Sequence, residues 1–322
     1  MVEYPLVFSP EVRQASHKHG ALVALESNLI SHGLPYPENI KTAQLLEAAV
    51  RENGAVPATI AILDGALHVG LTESELHRLA TEKNVHKCSR RDLPLAVALK
   101  WTGGTTVAAT MCVAAIAGIR VFATGGVGGV HRGQPFDISA DLPELQQTAV
   151  AVVCAGAKAI LDLPLTLEWL ETHGVPVLGY GTDEFPAFYS RHSGLPVDCR
   201  VDTALQAAQV IKAKWDLGLD GAVLVTVPVP AERELPREVV EQAVAQALDE
   251  AGQRGIHGRQ MTPFLLERVG QLTGGASIAS NIALLGNNAA TAAQIALELL
   301  RLETPVPLAR HSSLGMPITT TD

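Results

Sequence analysis

Residues 120–161 read RVFATGGVGGVHRGQPFDISADLPELQQTAVAVVCAGAKAIL, and the order of residue types in them decides the fold class. Arg120 to Thr124 and Ala149 to Val153 are apolar, partly β-branched runs of strand length. Between them lie a glycine-rich turn, Thr124 to Gly133, and a short helical stretch near Leu142 to Gln147. Strand, helix and strand in alternation are the building pattern of an α/β protein with a largely buried sheet. Working outward, the pattern predicts further strands at Ala21 to Leu25, Thr59 to Leu63, Pro176 to Tyr180 and Gly221 to Val227. It predicts helices at Glu38 to Asn53, Glu73 to Glu82, Thr105 to Ala117, Thr166 to His173, Ala204 to Trp215, Arg237 to Gln253, Pro263 to Leu272 and Ser277 to Leu300. Gly54 is placed to end the first of these helices, and Thr72 with Glu75 resembles a capping box.

At 322 residues, 47% of them hydrophobic, the chain can bury a large core. With no repeat, low-complexity segment or Gly/Ser linker in view, residues 1–322 are expected to form one domain. Pro228-Val229-Pro230 is the best candidate break, but the helices after it are apolar enough to pack back on the sheet. A net charge of −9 and an aromatic content of 4% argue against a protein that grips nucleic acid by its phosphates and stacks on its bases. The uncharged stretch Trp101 to Ile119 is rich in small residues, which suits tight packing in a core better than a membrane span. Four scattered cysteines without a CxxC pair, and no secretory leader in the first twenty residues, set the expectation of reduced thiols in a cytoplasm.

Lys158 is the only charged residue between Ala149 and Leu161. Burial disfavours an ammonium, so a lysine in such a run is prepared to act as a neutral nucleophile and to form an imine. The competing reading is a stem lying on apolar surface with its head in water. Glu26 ends a predicted strand, where α/β enzymes place reactive groups, and a partly desolvated glutamate is a general-acid candidate; a surface carboxylate is the plainer alternative. Asp137, Ser139 and Asp141 offer hard oxygen ligands for Mg²⁺ or Mn²⁺, or caps for the following helix, and Asp141 can cap while Asp137 reaches a metal. Lys87, Arg90 and Arg91 form a local cluster of cations in an acidic chain, suited to a phosphate or simply solvated. TGGVGGVHRG lacks the third glycine of a dinucleotide fingerprint, leaving a turn that His131 and Arg132 mark as a candidate ligand loop. Asn281, Asn287 and Asn288 interrupt an Ala-rich helix and suit either a nucleobase edge or a structural role.

Taken in order, ALES, ISHGLPYPEN, KCSRRDLP, GGTTVAATM, TGGVGGVHRG, FDISADL, VVCAGAKAILDLPLTLEWLETHGVPV and SNIALLGNNAA resemble the pseudouridine-5'-phosphate glycosidase family, also called indigoidine synthase A-like proteins, from about Pro10 to Leu300. The resemblance implies a three-layer αβα sandwich around a mixed, largely parallel sheet. It also implies reversible cleavage of the C–C glycosidic bond of pseudouridine 5'-phosphate to uracil and ribose 5-phosphate, with a divalent metal, usually Mn²⁺, in a homotrimer. Matched motif by motif, Lys158 is the implied nucleophile, Glu26 the proton donor and Asp137 the metal ligand. Lys87, Val107 and Ser139, Ala140 and Asp141 fall at the substrate, with His131 and Asn281 as further contacts. Two departures affect the pocket mouth: Asn28 stands where the family more often has threonine, and the loop from Arg132 to Phe136 is about two residues short. A class I aldolase-like lyase acting on another sugar phosphate and a catalytically silent nucleotide-binding protein are the competing expectations.

Overall fold

The computed structural model describes residues 6–256 and 261–303. Its strands are β1 (Leu6–Phe8), β2 (Leu22–Glu26), β3 (Val56–Leu63), β4 (Ala66–Val69), β5 (His86–Cys88), β6 (Gly103–Thr105), β7 (Val121–Ala123), β8 (Val130–His131), β9 (Gln134–Ile138), β10 (Ala151–Cys154), β11 (Leu161–Asp162), β12 (Val177–Tyr180), β13 (Cys199–Val201) and β14 (Leu224–Thr226). Eleven form one sheet, ordered β1-β4-β3-β2-β7-β10-β14-β12-β13, with β6 and β5 branching from β3. The pairs from β3 through β2, β7, β10, β14, β12 and β13 are all parallel; β3 is antiparallel to β4 and to β6. The sheet is therefore mixed and largely parallel. Helices cover both faces, which is why the central strands β7 and β10 are apolar and buried at every residue rather than alternating.

The helices Glu38–Glu52, Ala204–Asp216 and Ala276–Glu303 pack together on one side, the last lying along β2, β7 and β10. Val107–Ile116, against β2 and β3, and Asp141–Gln147 beside it belong to the other. Right-handed crossovers explain this division, since the chain leaves β2 toward β3 in one direction and later returns to β7 in the other. The last helix also confirms that the segment beyond Pro230 packs back on the sheet.

Sequence periodicity locates the six central strands and eight helices within a few residues. What it passes over is short or polar: β5 and β6, the β8–β9 hairpin, and the helix Pro10–His17, whose sequence PEVRQASH buries only Val12 and Ala15. The helix expected from Thr105 starts at Val107, because Thr105 ends β6 and Thr106 caps, its hydroxyl accepting from Ala109 N–H. The capping box at Thr72 and Glu75 is present.

Candidate active site

Strands β2, β7 and β10 are parallel neighbours, so their C-terminal ends open on one edge of the sheet. The strand order reverses between β2 and β7, and such a crevice is where open α/β sheets bind ligands. Glu26 is the last residue of β2, Thr124 follows β7, and Lys158 lies four residues beyond β10. Where β2 stops opposite Ile60, the edge of β3 passes to β6, which pairs with Ala61 and Ile62. β5 lies beside β6 with Lys87 opposite Gly104, so Lys87 is brought over the end of β2.

These ends enclose a cavity of about 400 Å³, a size suited to a small molecule. The ten residues that the resemblance places at the site all line it: Glu26, Lys87, Val107, His131, Asp137, Ser139, Ala140, Asp141, Lys158 and Asn281; Arg132, marked from sequence as part of a ligand loop, does not. They come from seven separated stretches of chain, and only the fold brings them together. Arg91 lines the cavity with Lys87, whereas Arg90 is turned away, its guanidinium 2.7 Å from the buried Glu144 carboxylate. The cation cluster of KCSRRDLP is thus split between ligand cavity and scaffold.

Thr124 Oγ1 donates a 2.5 Å hydrogen bond to Glu26 Oε1. Burial pushes the Glu26 carboxyl above the usual carboxylate range; the Lys158 ammonium and the Thr124 hydrogen bond oppose that rise, as does Lys87, while Asp141 adds to it. Lys158 is half-buried, so the full enclosure expected from its apolar run is not what the fold provides. The run is buried strand up to Cys154, then turns at Gly156, where φ is +85° and a Cβ would lie 2.5 Å from Pro186 O. That turn frees Lys158 from the sheet, with its N–H donating to Val127 O at 3.1 Å and its side chain lining the cavity opposite Glu26.

Asp141 does not cap its own helix. The helix Asp141–Gln147 follows Ala140 without a side-chain cap, and the buried Asp141 carboxylate reaches elsewhere. Oδ1 accepts from Ala108 N–H at 3.0 Å, in the first turn of Val107–Ile116, and Oδ2 from Gly128 N–H at 2.8 Å. The positive end of that helix holds the carboxylate, and the carboxylate holds the glycine loop. Gly128 must lack a side chain, since a Cβ would come within 2.1 Å of Ser139 Oγ and 2.7 Å of Asp141 Oδ2. No helix begins at these glycines; the chain continues into the β8–β9 hairpin, in keeping with the failed dinucleotide pattern.

Asp137 and His131 face each other across that hairpin, His131 Nδ1 lying 3.0 Å from Asp137 O and 3.4 Å from Asp137 Oδ2. Among the described residues no group of three or more His, Cys, Asp or Glu side chains converges as a metal site. Asp137 is a half-exposed hard oxygen donor at the cavity, and that donor set fits Mn²⁺ or Mg²⁺, which bind through one or two carboxylates with waters and substrate oxygens. Of the three asparagines, Asn281 lines the cavity, Asn287 Nδ2 reaches Pro228 O at 3.3 Å, and Asn288 bonds the carbonyl of Thr124.

Sequence reading missed an apolar wall made by Leu161, Phe188, Pro263, Leu266 and Leu285. Nothing in an Ala- and Leu-rich helix marks which face meets a ligand. It also missed His32, whose imidazole burial and the nearby Lys87 hold below its usual pKa. Asn28, noted only as a departure from a pattern, lines the cavity two residues from Glu26.

Residues 11–298 match the model of a family described as indigoidine synthase A like protein. The chain belongs to this family. Two relatives, from Geobacillus kaustophilus and Caldanaerobacter subterraneus, are each named pseudouridine-5'-phosphate glycosidase. The first is 60% identical over 296 residues, covering 91% of this chain and 98% of its own. The second is 57% identical over 296 residues, covering 91% and 96%. Among solved structures, the prealnumycin C-glycosynthase AlnA in complex with ribulose 5-phosphate is 41% identical, with a TM-score of 0.85 over 92% of this chain and 97% of its own. An indigoidine synthase A-like protein from Thermotoga maritima is 33% identical, with a TM-score of 0.86 over 94% and 99%. No helix among the described residues is long and apolar enough to cross a membrane.

Proposed function

We propose that the chain is a pseudouridine-5'-phosphate glycosidase that works through an imine between Lys158 and C1' of the opened sugar. The observation that carries this is one cavity lined together by Glu26, which ends β2, Lys158, which follows β10, and the cations Lys87 and Arg91. The names of relatives at 57–60% identity supply the substrate. Lys87 and Arg91 hold the phosphate, with Val107 at the N-terminus of its helix and the Ser139-Ala140-Asp141 segment as further contacts. Arg91 brings two-pronged hydrogen bonding and Lys87 a point charge.

The chemistry has to break a bond to carbon, a poor leaving group. As the Lys158 nitrogen bonds to C1', the C1'–O4' bond opens and O4' takes the proton that the nitrogen sheds. The nitrogen lone pair then forms the C=N double bond and the C1'–C5 bond breaks. Its electrons pass to the uracil ring, where C5 takes the proton that Glu26 holds. Water adds to the iminium carbon, releasing ribose 5-phosphate and the free lysine. An iminium is an electron sink, which an ordinary pair of glycosidase carboxylates does not offer. The raised proton affinity of Glu26 suits a group that must give up and retake a proton near neutral pH. Asp137 would hold a Mn²⁺ ion, which when bound supplies positive charge to the substrate's oxygens. His131 orients that carboxylate, and Asn281 faces the base.

A role in pseudouridine catabolism, as a cytoplasmic homotrimer of one-domain subunits, completes the proposal, and a light-scattering mass checks the trimer. Protein mixed with uracil, ribose 5-phosphate and Mn²⁺ is expected to yield pseudouridine 5'-phosphate. Cleavage of a different sugar phosphate without that product would favour an aldolase-like lyase. Nucleotide binding without turnover, and unaffected by Lys158→Met, would favour a silent binding protein.

A further inference from the structure

We propose that Thr124, anchored by Asn288, is a positioning residue that aims the Glu26 carboxyl and sets the pH range over which it works. The inference rests on the glycosidase reading and deepens the same site. Thr124 directly follows β7, which lies between the strands that deliver Glu26 and Lys158, and it is buried. Its hydroxyl donates to Glu26 Oε1 at 2.5 Å, and the Glu26 carboxyl lines the cavity.

The backbone carrying that hydroxyl is held from two directions. Thr124 N–H donates to Val153 O at 3.0 Å and Ala155 N–H to Gly125 O at 2.8 Å, tying the segment to β10 and the turn that follows it. From the helix above, Asn288 Nδ2 donates to Thr124 O at 2.8 Å and reaches Gly125 O at 3.4 Å. Asn288 is fully buried, and its Oδ1 has no partner among the described residues. An unsatisfied amide oxygen in an apolar helix face is costly, and alanine would pack there without that cost. The clamp on the two carbonyls is the gain that accounts for the asparagine.

The hydroxyl does more than fix a rotamer. A donor to a carboxylate favours its ionised form, in the same sense as Lys158 and Lys87, and against burial and Asp141. Without it the Glu26 carboxyl keeps its proton to higher pH. In the cleavage direction Glu26 must begin protonated, so activity falls as pH rises through its pKa.

The test is the pH profile of kcat/KM for cleavage in wild type, Thr124→Val, Thr124→Ser and Asn288→Ala. Thr124→Val is expected to move the alkaline limb upward by about one to two pH units, the scale of a hydrogen bond to a charged group. Thr124→Ser keeps the donor and is expected to keep the limb. Asn288→Ala is expected to shift it in the same direction by less. Should Thr124→Val fail to fold, Thr124→Ala removes the same hydroxyl with less crowding. A limb that stays in place in the valine or alanine variant, with only the rate lowered, overturns the proposal. Carbon-13 NMR of glutamate-labelled protein, with the Glu26 carboxyl assigned by its loss in Glu26→Gln, reads the same shift without turnover. Wild-type protein that makes no product therefore sinks the glycosidase reading, while an unmoved Glu26 titration in Thr124→Val sinks this one.

Discussion

The sheet edge and the β8–β9 hairpin supply the same cavity in different ways. Glu26 and Lys158 follow strands that are buried nearly throughout, and Glu26 is braced through Thr124 by the long C-terminal helix. Asp137 sits on a hairpin whose Phe136 is 98% exposed, and its carboxylate lies 3.4 Å from His131 Nδ1. In the proposed mechanism the groups that exchange protons and bonds with the substrate are held by the core, where a misplacement of an ångström is costly. A cation ligand tolerates a looser mount, because water and substrate complete its shell.

That contrast can be broken at several points. The largest effect is expected for Lys158→Met, with turnover lowered at least about a thousandfold and binding of a phosphate-bearing ligand retained. Glu26→Gln should follow, with kcat lowered about 10²- to 10⁴-fold. It should also raise the melting temperature near neutral pH. The sign follows from the raised pKa: the ionised carboxylate is disfavoured in the folded state, so Glu26 adds stability below its unfolded pKa and loses it as pH rises through the folded one. The difference from glutamine should therefore vanish in acid, which melting curves across pH will read.

On the looser side, Asp137→Ala is expected to raise the Mn²⁺ concentration needed for half-maximal rate at least about tenfold while leaving the melting temperature unchanged. Full activity of that variant after chelation would remove Asp137 from the metal. Gly128→Ala lies between the two regions. Its new methyl group meets Ser139 and Asp141, and about 1–3 kcal/mol of stability should be lost with a raised KM. The smallest and finest contrast is Arg91→Ala against Arg90→Ala. The first should raise KM severalfold with stability intact. The second should leave KM alone and cost about 1–3 kcal/mol by unpairing Glu144, which is 1% exposed.

The same division governs what could be read from sequence. Buried strands such as Val121–Ala123 and Ala151–Cys154 announce themselves by composition, because both faces must be apolar. The hairpin does not: Gln134–Ile138 carries glutamine, proline and aspartate, and it pairs only with two-residue β8. Asp141 shows the limit differently. Its position before a helix spells a cap, yet its partners, Ala108 and Gly128, are 33 and 13 residues away and become neighbours only in the fold. Lys158 was legible as unusual, but its exposure to a cavity depends on the turn at Gly156, which the apolar run hides. Thr124 reads in sequence only as the first residue of a glycine motif, since nothing in TGGVGG points to a glutamate 98 residues earlier.

The central claim is that the Lys158 amine forms an imine with C1' of ribose 5-phosphate. Incubating the protein with ribose 5-phosphate, reducing with borohydride and digesting for mass spectrometry reads it directly. The account predicts one reduced pentose phosphate adduct on the peptide containing Lys158, lost in Lys158→Met. An unmodified Lys158 peptide, or equal labelling of Lys158→Met, would contradict it.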